Sequence, residues 1–264
     1  MSNLPRISDR KYIVPAVERA ILILQLLDQA PEGLTISQIT QEMSIAKSTV
    51  FTILTTLNLY GLVEREEESG RYQLGMGLFT LGSSVIERLD VRSRAYPLLK
   101  SLAQQTRLTT HLGILDEGEV VYIEKIEGQG PIKISSAIGR RMGVHCTALG
   151  KAILAHVPEE KFLTLFTDYT LLQRTPNTIT SVQLLQVDLT KTKERGYSFD
   201  DEENELGIRC LGAPIFNHRG EVIHAVSISG PRDRVSLDTI EPLAEKLKQA
   251  AQEISQAIGF VPVE

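Results

Sequence analysis

Apolar positions recur with two different periods along this chain, and the changes of period divide it into elements. From residue 15 to 29, Val17, Ala20, Ile21, Leu24 and Leu27 fall three or four apart, the spacing of one helix face. Pro15 stands near the start of that run, and Pro31 and Gly33 end it. A second segment sets Ile36, Ile39 and Met43 on one side, with Thr35 where a helix cap belongs. After a polar break at 44–46, Val50, Ile53, Leu54 and Leu57 form another stripe, opposite Ser48, Thr49, Thr52 and Thr55. Strand-like stretches follow at 62–65 and 71–74, around a charged turn at 66–70 with a glycine at its tip. Helical spacing returns over 78–89 (Leu78, Leu81, Val85, Leu89) and 91–105 (Leu98, Leu99, Leu102).

The second half mixes both periods. Segments 109–115 and 119–126, split by Asp116, Glu117 and Gly118, suit a hairpin, and 131–137 is a further strand candidate. Residues 148–156 read as a helix that Pro158 ends, and 184–195 as another. Strands are expected at 197–200, 208–216 and 221–229, with a turn at 217–220. Leu237, Ile240, Leu243, Leu247, Ala250, Ile254 and Ile258 mark a long final helix, with Ser236 as its expected cap. The simplest assembly is α+β, an antiparallel sheet with helices packed on it. The expected domains are 13–75, a linker helix at 76–90, and 91–260.

Helix, turn, helix and β-wing is the layout that lays a second helix in a DNA major groove. Here the helix-turn-helix spans about 35–55 and the wing 62–75. A solvated helix face ordinarily carries Lys and Glu, and Thr is a poor helix former. A face of small hydroxyls makes sense if it must fit a groove and bond to phosphates or base edges. The candidate DNA contacts are Thr35, Lys47, Ser48, Thr49, Phe51 and Thr52, with Arg65 and Arg71 from the wing. For Phe51, packing against the wing competes with contact to a thymine methyl.

Charge weakens the picture without removing it. Between residues 13 and 75 four basic residues (Arg19, Lys47, Arg65, Arg71) face eight acidic ones, where nucleic-acid domains usually carry a basic patch. Glu66, Glu67 and Glu68 then belong at the wing tip, away from phosphates. Arg6, Arg10 and Lys11 in the polar start suit either an arm in a groove or an ordinary solvated tail. A weak electrostatic term implies modest non-specific affinity, which a dimer on two half-sites of a pseudo-palindromic operator offsets.

A chain of 264 residues suits two domains, and 42% apolar content excludes disorder. No apolar run approaches the ~20 residues that cross a bilayer, and the start lacks a signal-peptide apolar region. Two cysteines, Cys146 and Cys210, are too few for a disulfide framework, so the cytoplasm is the expected compartment, with no membrane partner.

Particular stretches go beyond pattern. Gly139-Arg140-Arg141-Met142 leads into His145-Cys146-Thr147-Ala148-Leu149-Gly150-Lys151-Ala152; later come the runs 195–203, 207–216 (from Gly207-Ile208-Arg209-Cys210) and 225–231 (Ala225-Val226-Ser227-Ile228-Ser229). With the winged helix, these closely resemble the IclR family of bacterial transcriptional regulators, from about Ile13 to Gly259. The resemblance implies a GAF-like α/β effector-binding domain, a homodimer or tetramer, and regulation, more as repressor than activator, of a carbon-catabolism operon. One departure concerns the recognition helix, where the family often carries an arginine two residues after the valine matching Val50 and this chain has Thr52. The DNA sequence read is therefore open.

The effector site has a chemical argument of its own. The first amides of a helix at Ala148, Leu149 and Gly150 have no partner within it and suit a carboxylate. Ser227 and Ser229 share one strand face by the period of two, as do Ile208, Cys210 and Gly212. Resemblance to the acetate-operon repressor branch implies Met142, Ala148, Leu149, Asp200, Ile208, Cys210, Ser227 and Ser229 as the lining of a pocket for a small carboxylate. Each has a plainer use: the serines on neighbouring backbone, Cys210 as a core residue, Asp200 as a turn cap.

Two other functions compete with this reading. An enzyme with His145 and Cys146 as base and nucleophile is disfavoured, because neighbours on a strand point to opposite faces and no third group orients them. A metal or thiol sensor built on His145, Cys146, Cys210, His218 and His224 lacks any ligand spacing in sequence. The expectation is no catalytic residue, no cofactor and no metal.

Overall fold

The structure is a computed structural model and describes residues 13–87, 90–129, 134–167 and 169–261; the cations at 6–11 lie outside it. The chain divides into two compact units, with the boundary between Arg88 and Leu89. No helix among the described residues is long and apolar enough to cross a membrane.

The first unit contains α1 (Pro15–Asp28), α2 (Ile36–Met43), α3 (Lys47–Leu59), the strands β1 (Val63–Arg65) and β2 (Tyr72–Leu74), and α4 (Met76–Glu87). Its core joins Ile23 and Leu27 of α1, Ile39 of α2, and Val50, Ile53, Leu54 and Leu57 of α3 to Val63 and Tyr72 of the wing. Thr35 and Gln38 form a reciprocal capping box at the start of α2. Ser44 turns the chain in a left-handed conformation toward α3. One expectation is corrected here. Val17 and Ile21 of α1 are not core residues but are 56% and 50% exposed, because the unit buries the Ile23–Leu27 side of the helix instead. On α4, Met76, Phe79 and Leu81 are likewise exposed, so both helices carry apolar surface that their own unit does not cover.

The second unit is a six-stranded antiparallel sheet of order β5-β4-β3-β8-β7-β6. Its strands are β3 (Thr109–Asp116), β4 (Glu119–Ile126), β5 (Arg141–Gly143), β6 (Ser198–Asp201), β7 (Ile208–Phe216) and β8 (Val222–Pro231). Helices α5 (Asp90–Thr106) and α9 (Ile240–Ala257) cover one face, meeting Leu112, Leu211, Ile215, Val226 and Ile228. The other face carries α6 (Ala148–Leu154), α7 (Glu159–Thr167) and α8 (Val182–Arg195).

Helix α6 lies very close to this sheet. A Cβ at Gly212 of β7 would stand 2.6 Å from both the Ala148 carbonyl carbon and Ser198 Oγ. One at Gly150 would stand 2.6 Å from the Val144 carbonyl carbon, and one at Gly113 of β3 would meet Leu149 Cδ1 at 2.9 Å. Missing side chains at Gly113 and Gly212 therefore set the depth at which α6 is seated on the sheet, and Gly150 sets its approach to the preceding bend.

Three further expectations are corrected. Residues 131–133 lie outside the described residues, and 134–137 form no strand; the strand beside β4 is β5. Lys125 Nζ donates to the Ile134 and Ser136 carbonyls, and Arg140 Nη1 to that of Ser135, so side chains take acceptors that a ladder would use. Pro158 opens a helix as well as following one, since the Phe162 N–H donates to its carbonyl and α7 goes unread in the sequence. The final helix begins at Ile240, and Ser236 closes a turn through its backbone carbonyl rather than capping with its hydroxyl.

Gly212→Ala is expected to destabilise the protein by about 1–3 kcal/mol through overpacking under α6, read as a lower urea midpoint. A midpoint equal to that of the unchanged chain would show that α6 is not seated this way.

Candidate functional site

The first unit presents α3 with two unlike sides. Val50, Ile53, Leu54 and Leu57 are buried, whereas Lys47, Ser48, Phe51, Thr52 and Thr55 are exposed and Thr49 is half-buried. Phe51, 55% exposed, is not packed into the wing. The hydroxyl row differs from expectation: Thr52 Oγ1 donates to the Ser48 carbonyl at 3.0 Å and Thr55 Oγ1 to that of Phe51 at 2.8 Å. Hydroxyls bonded back in this way offer acceptor lone pairs outward while their protons stay engaged. Thr35 is occupied by its capping box. Arg71 is a strut, its Nη1 donating to the Gly33 carbonyl at 2.7 Å, while exposed Arg65 leans over the Tyr72 ring.

In the second unit a cavity of about 160 Å³ lies between the sheet and the start of α6. Met142, Ala148, Leu149, Asp200, Ile208, Cys210, Ser227 and Ser229 all line it, eight residues from five elements. Strand register explains the convergence. Asp200 pairs with Cys210 and Cys210 with Ser229; two residues along, Gly212 pairs with Ser227 and Ser227 with His111. Since alternate residues share a face, all these groups look toward α6. Asp200 also caps its own turn, Oδ1 accepting from the Glu203 N–H at 2.8 Å and the Asn204 N–H at 3.4 Å.

The helix N-terminus is less open than the sequence implies. Thr147 Oγ1 accepts from the Gly150 N–H at 3.2 Å, and the Thr147 carbonyl takes the Lys151 N–H. Only the amides of Ala148 and Leu149 remain for a ligand within that first turn.

Sequence reasoning missed several lining residues. His111 stacks on Tyr122 at 5.0 Å and meets Ser136 Oγ through Nε2 at 2.8 Å. Burial, with Lys125 nearby, lowers the His111 pKa to about 3, so the ring is neutral. Its signal is strand parity, which sets His111 with Thr109 and Gly113 on the face opposite Leu112 and Ile114. Arg140, Arg174 and Asn204 also line the cavity, and loops give no period from which to find them. Burial, then the Glu203 carboxylate, raise Asp200 to about 7; Lys151 and the two backbone donors pull the other way.

His145 and Cys146 do not form a nucleophile–base pair. They sit in the bend between β5 and α6, not on a strand. His145 Nε2 faces the Leu172 carbonyl at 3.1 Å and Nδ1 the Tyr169 hydroxyl at 3.4 Å, while Cys146 Sγ lies by the Gly143 carbonyl. Burial, and then Asp200, push the Cys146 thiol up to about 12. Among the described residues no group of three or more His, Cys, Asp or Glu is placed to hold a metal ion, so the cluster a metal sensor needs is not assembled there.

Comparison with known proteins decides what this arrangement belongs to. Residues 83–256 match the bacterial transcriptional regulator IclR C-terminal model, and residues 16–67 match the IclR helix-turn-helix domain. The chain belongs to the IclR family. It is 41% identical over 248 residues to the HTH-type transcriptional regulator XynR of Escherichia coli, covering 94% of this chain and 98% of that one. It is 31% identical to the E. coli transcriptional repressor AllR, over 93% and 90% of the two chains. An IclR homologue from Microbacterium hydrocarbonoxydans, solved with 4-hydroxybenzoate, superposes with a TM-score of 0.80 at 25% identity, over 92% of this chain and 98% of that one. As an IclR regulator the chain is a ligand-responsive DNA-binding protein of transcription, and the two units are its helix-turn-helix and α/β parts.

The burial of the IclR-family bend predicts slow thiol chemistry. At pH 8 iodoacetamide should modify Cys146 at least about a hundredfold more slowly in the folded chain than in urea, because thiolate is the reactive form. Mass spectrometry of the labelled peptide measures it, and fast native labelling would reinstate a thiol-based sensor.

Proposed function

We propose that this regulator is a cytoplasmic repressor of a carbon-catabolism operon, released when a small carboxylic acid enters the cavity under α6. In this reading 13–75 is the DNA-binding domain, 76–90 a linker helix and 91–260 the effector-binding domain, and the chain is not an enzyme. The observation that carries it is the convergence of Asp200, Cys210, Ser227 and Ser229 with α6 on one cavity, with the cations Arg140 and Arg174 among its lining. Hydroxyls and guanidinium groups are donors, which a carboxylate needs. A carboxylic acid bound to the Microbacterium homologue supports the class, and the repressor AllR supports the sign.

For DNA, exposed Lys47, Ser48, Phe51 and Thr52 on α3 are the contacts, with Thr35, Thr49, Arg65 and Arg71 at the margins. Lys47 serves phosphate and Thr52 offers acceptor lone pairs to base amino groups. A homodimer or tetramer reading a pseudo-palindromic operator fits the uncovered apolar surface of Val14, Val17 and Ile21 on and before α1, and of Met76, Phe79 and Leu81 on α4.

A thermal-shift screen of metabolic acids identifies the effector, since binding to the folded state raises its stability. Calorimetry then tests the site. Ser229→Ala should cost on the order of 1.5–3 kcal/mol of effector affinity, and Ala148→Phe should abolish binding, both with operator affinity retained. Wild-type effector affinity in both variants would remove the acid from this cavity.

Two further outcomes follow. A bound anion favours the neutral form of the Asp200 carboxyl beside it. Effector affinity should therefore be highest below about pH 7, where Asp200 is already protonated, and fall by up to about tenfold per pH unit above it. Proton uptake on binding at pH 8, measured in buffers of different ionisation enthalpy, checks the sign; proton release contradicts it. Lys47→Ala should weaken all DNA sequences alike and flatten the salt dependence by about one phosphate. A change confined to base preference would make Lys47 a base-reading residue.

A further inference from the structure

Lys151 is wholly buried, at 0% exposure, and nothing in the proposed binding of effector or DNA uses it. It lies on α6 one turn beyond Ala148. Its ammonium donates to Glu203 Oε1 at 2.6 Å and to the Phe199 carbonyl of β6, and it forms an ion pair with Asp188 Oδ2 of α8 at 2.9 Å. Phe199 directly precedes Asp200, and Glu203 closes the turn that Asp200 caps. Lys151 thus grips the chain on both sides of the one carboxyl group of this cluster that also lines the cavity. The far side of that turn is fixed as well, the Glu203 carbonyl accepting from Thr178 Oγ1 at 2.6 Å.

We propose that Lys151 is the positioning residue of the cavity, holding the Asp200 carboxyl on its wall through Phe199 and Glu203. The inference rests on the cavity being the effector site only for its biological use; the grip itself is a property of the ligand-free chain. A buried cation of this kind also has a charge effect on the group it positions. Around Asp200 stand Lys151 from α6, Glu203 from the turn, Cys210 from β7, Tyr122 from β4 and Cys146 before α6. Of these the ammonium favours the ionised carboxyl and Glu203 opposes it. Burial alone disfavours the Lys151 charge, but Glu203 and Asp188 hold its pKa above the ordinary value, so it remains a cation at every working pH.

The test uses the full chain without ligand, with aspartate carboxyl carbons labelled with ¹³C and the Asp200 signal assigned by its loss in Asp200→Asn. Lys151→Met should raise the pH midpoint of that signal by at least about one unit, and Glu203→Gln should lower it by a similar amount. Opposite shifts from two cuts in the same contact are not produced by simple loosening, which exposes Asp200 to water and lowers its midpoint in both variants. Midpoints that stay where they are, or move in the same direction, overturn the proposal. If Lys151→Met does not fold, Lys151→Gln takes its place: a raised midpoint with the fold intact supports the cluster, and an unchanged or lowered one overturns it. Failure of acids to bind the unchanged chain would sink the effector site and leave this result standing.

Discussion

The second unit depends on how closely α6 approaches the sheet. Contact at that distance needs glycine beneath the helix at Gly113 and Gly212, and Gly150 lets the helix pack against the bend at Val144. From this seating follow the features that matter for function. The start of the helix is brought against a row of strand positions whose side chains are small and polar, so a cavity forms where larger residues would have filled the space. One turn later the same helix buries Lys151 completely, where Glu203 and the Phe199 carbonyl accept from it and Asp188 pairs with its charge. An isolated buried ammonium would be very costly, and breaking one partner of such a cluster leaves uncompensated charge behind. The helix, the β6 turn and α8 are therefore tied into one piece.

The two units solve different problems. The first has a plain apolar core and few polar ties, its strongest being the Thr35–Gln38 box and the Arg71 strut. It exposes small hydroxyls on one helix face and leaves apolar surface on two other helices. The second gathers ionisable groups into its interior, where their charges are set by one another. Neutral His111, an Asp200 whose carboxyl is held up at about 7 and a charged Lys151 lie around the cavity. In the proposed reading a small anion meets donors and the cations Arg140 and Arg174 there, and the Asp200 carboxyl opposes it once ionised.

Much of this was legible in the chain, for definite physical reasons. The helix-turn-helix shows because its buried stripe has a clean helical period and its cap, Thr35, is of a strongly preferred type. Ser227 and Ser229 show because strand parity places them together and away from Val226 and Ile228. Met142 and Asp200 came from family resemblance alone, since neither a lone Met nor an Asp in an acidic run carries a signal. Lys151 was hidden because burial of a lysine depends on carboxylates from 37 and 52 positions away, which no local pattern encodes. The strand expected at 131–137 failed where side chains of Lys125 and Arg140 take the backbone acceptors. The exposed Val17 and Ile21 were misread because a helix with two apolar sides does not announce which one its own unit will bury.

The proposed regulation turns on one coupling, between an acid in the cavity and an operator on α3. Two Kd ratios measure it: the affinity of operator with and without saturating acid, by fluorescence anisotropy, and the affinity of that acid for free and operator-bound protein, by calorimetry. Linkage requires the two ratios to be equal, and a working switch puts them between about fivefold and 150-fold, with the acid preferring the free protein. Equal acid affinity for the free and the operator-bound chain would contradict the account, whatever the acid and however tightly it binds.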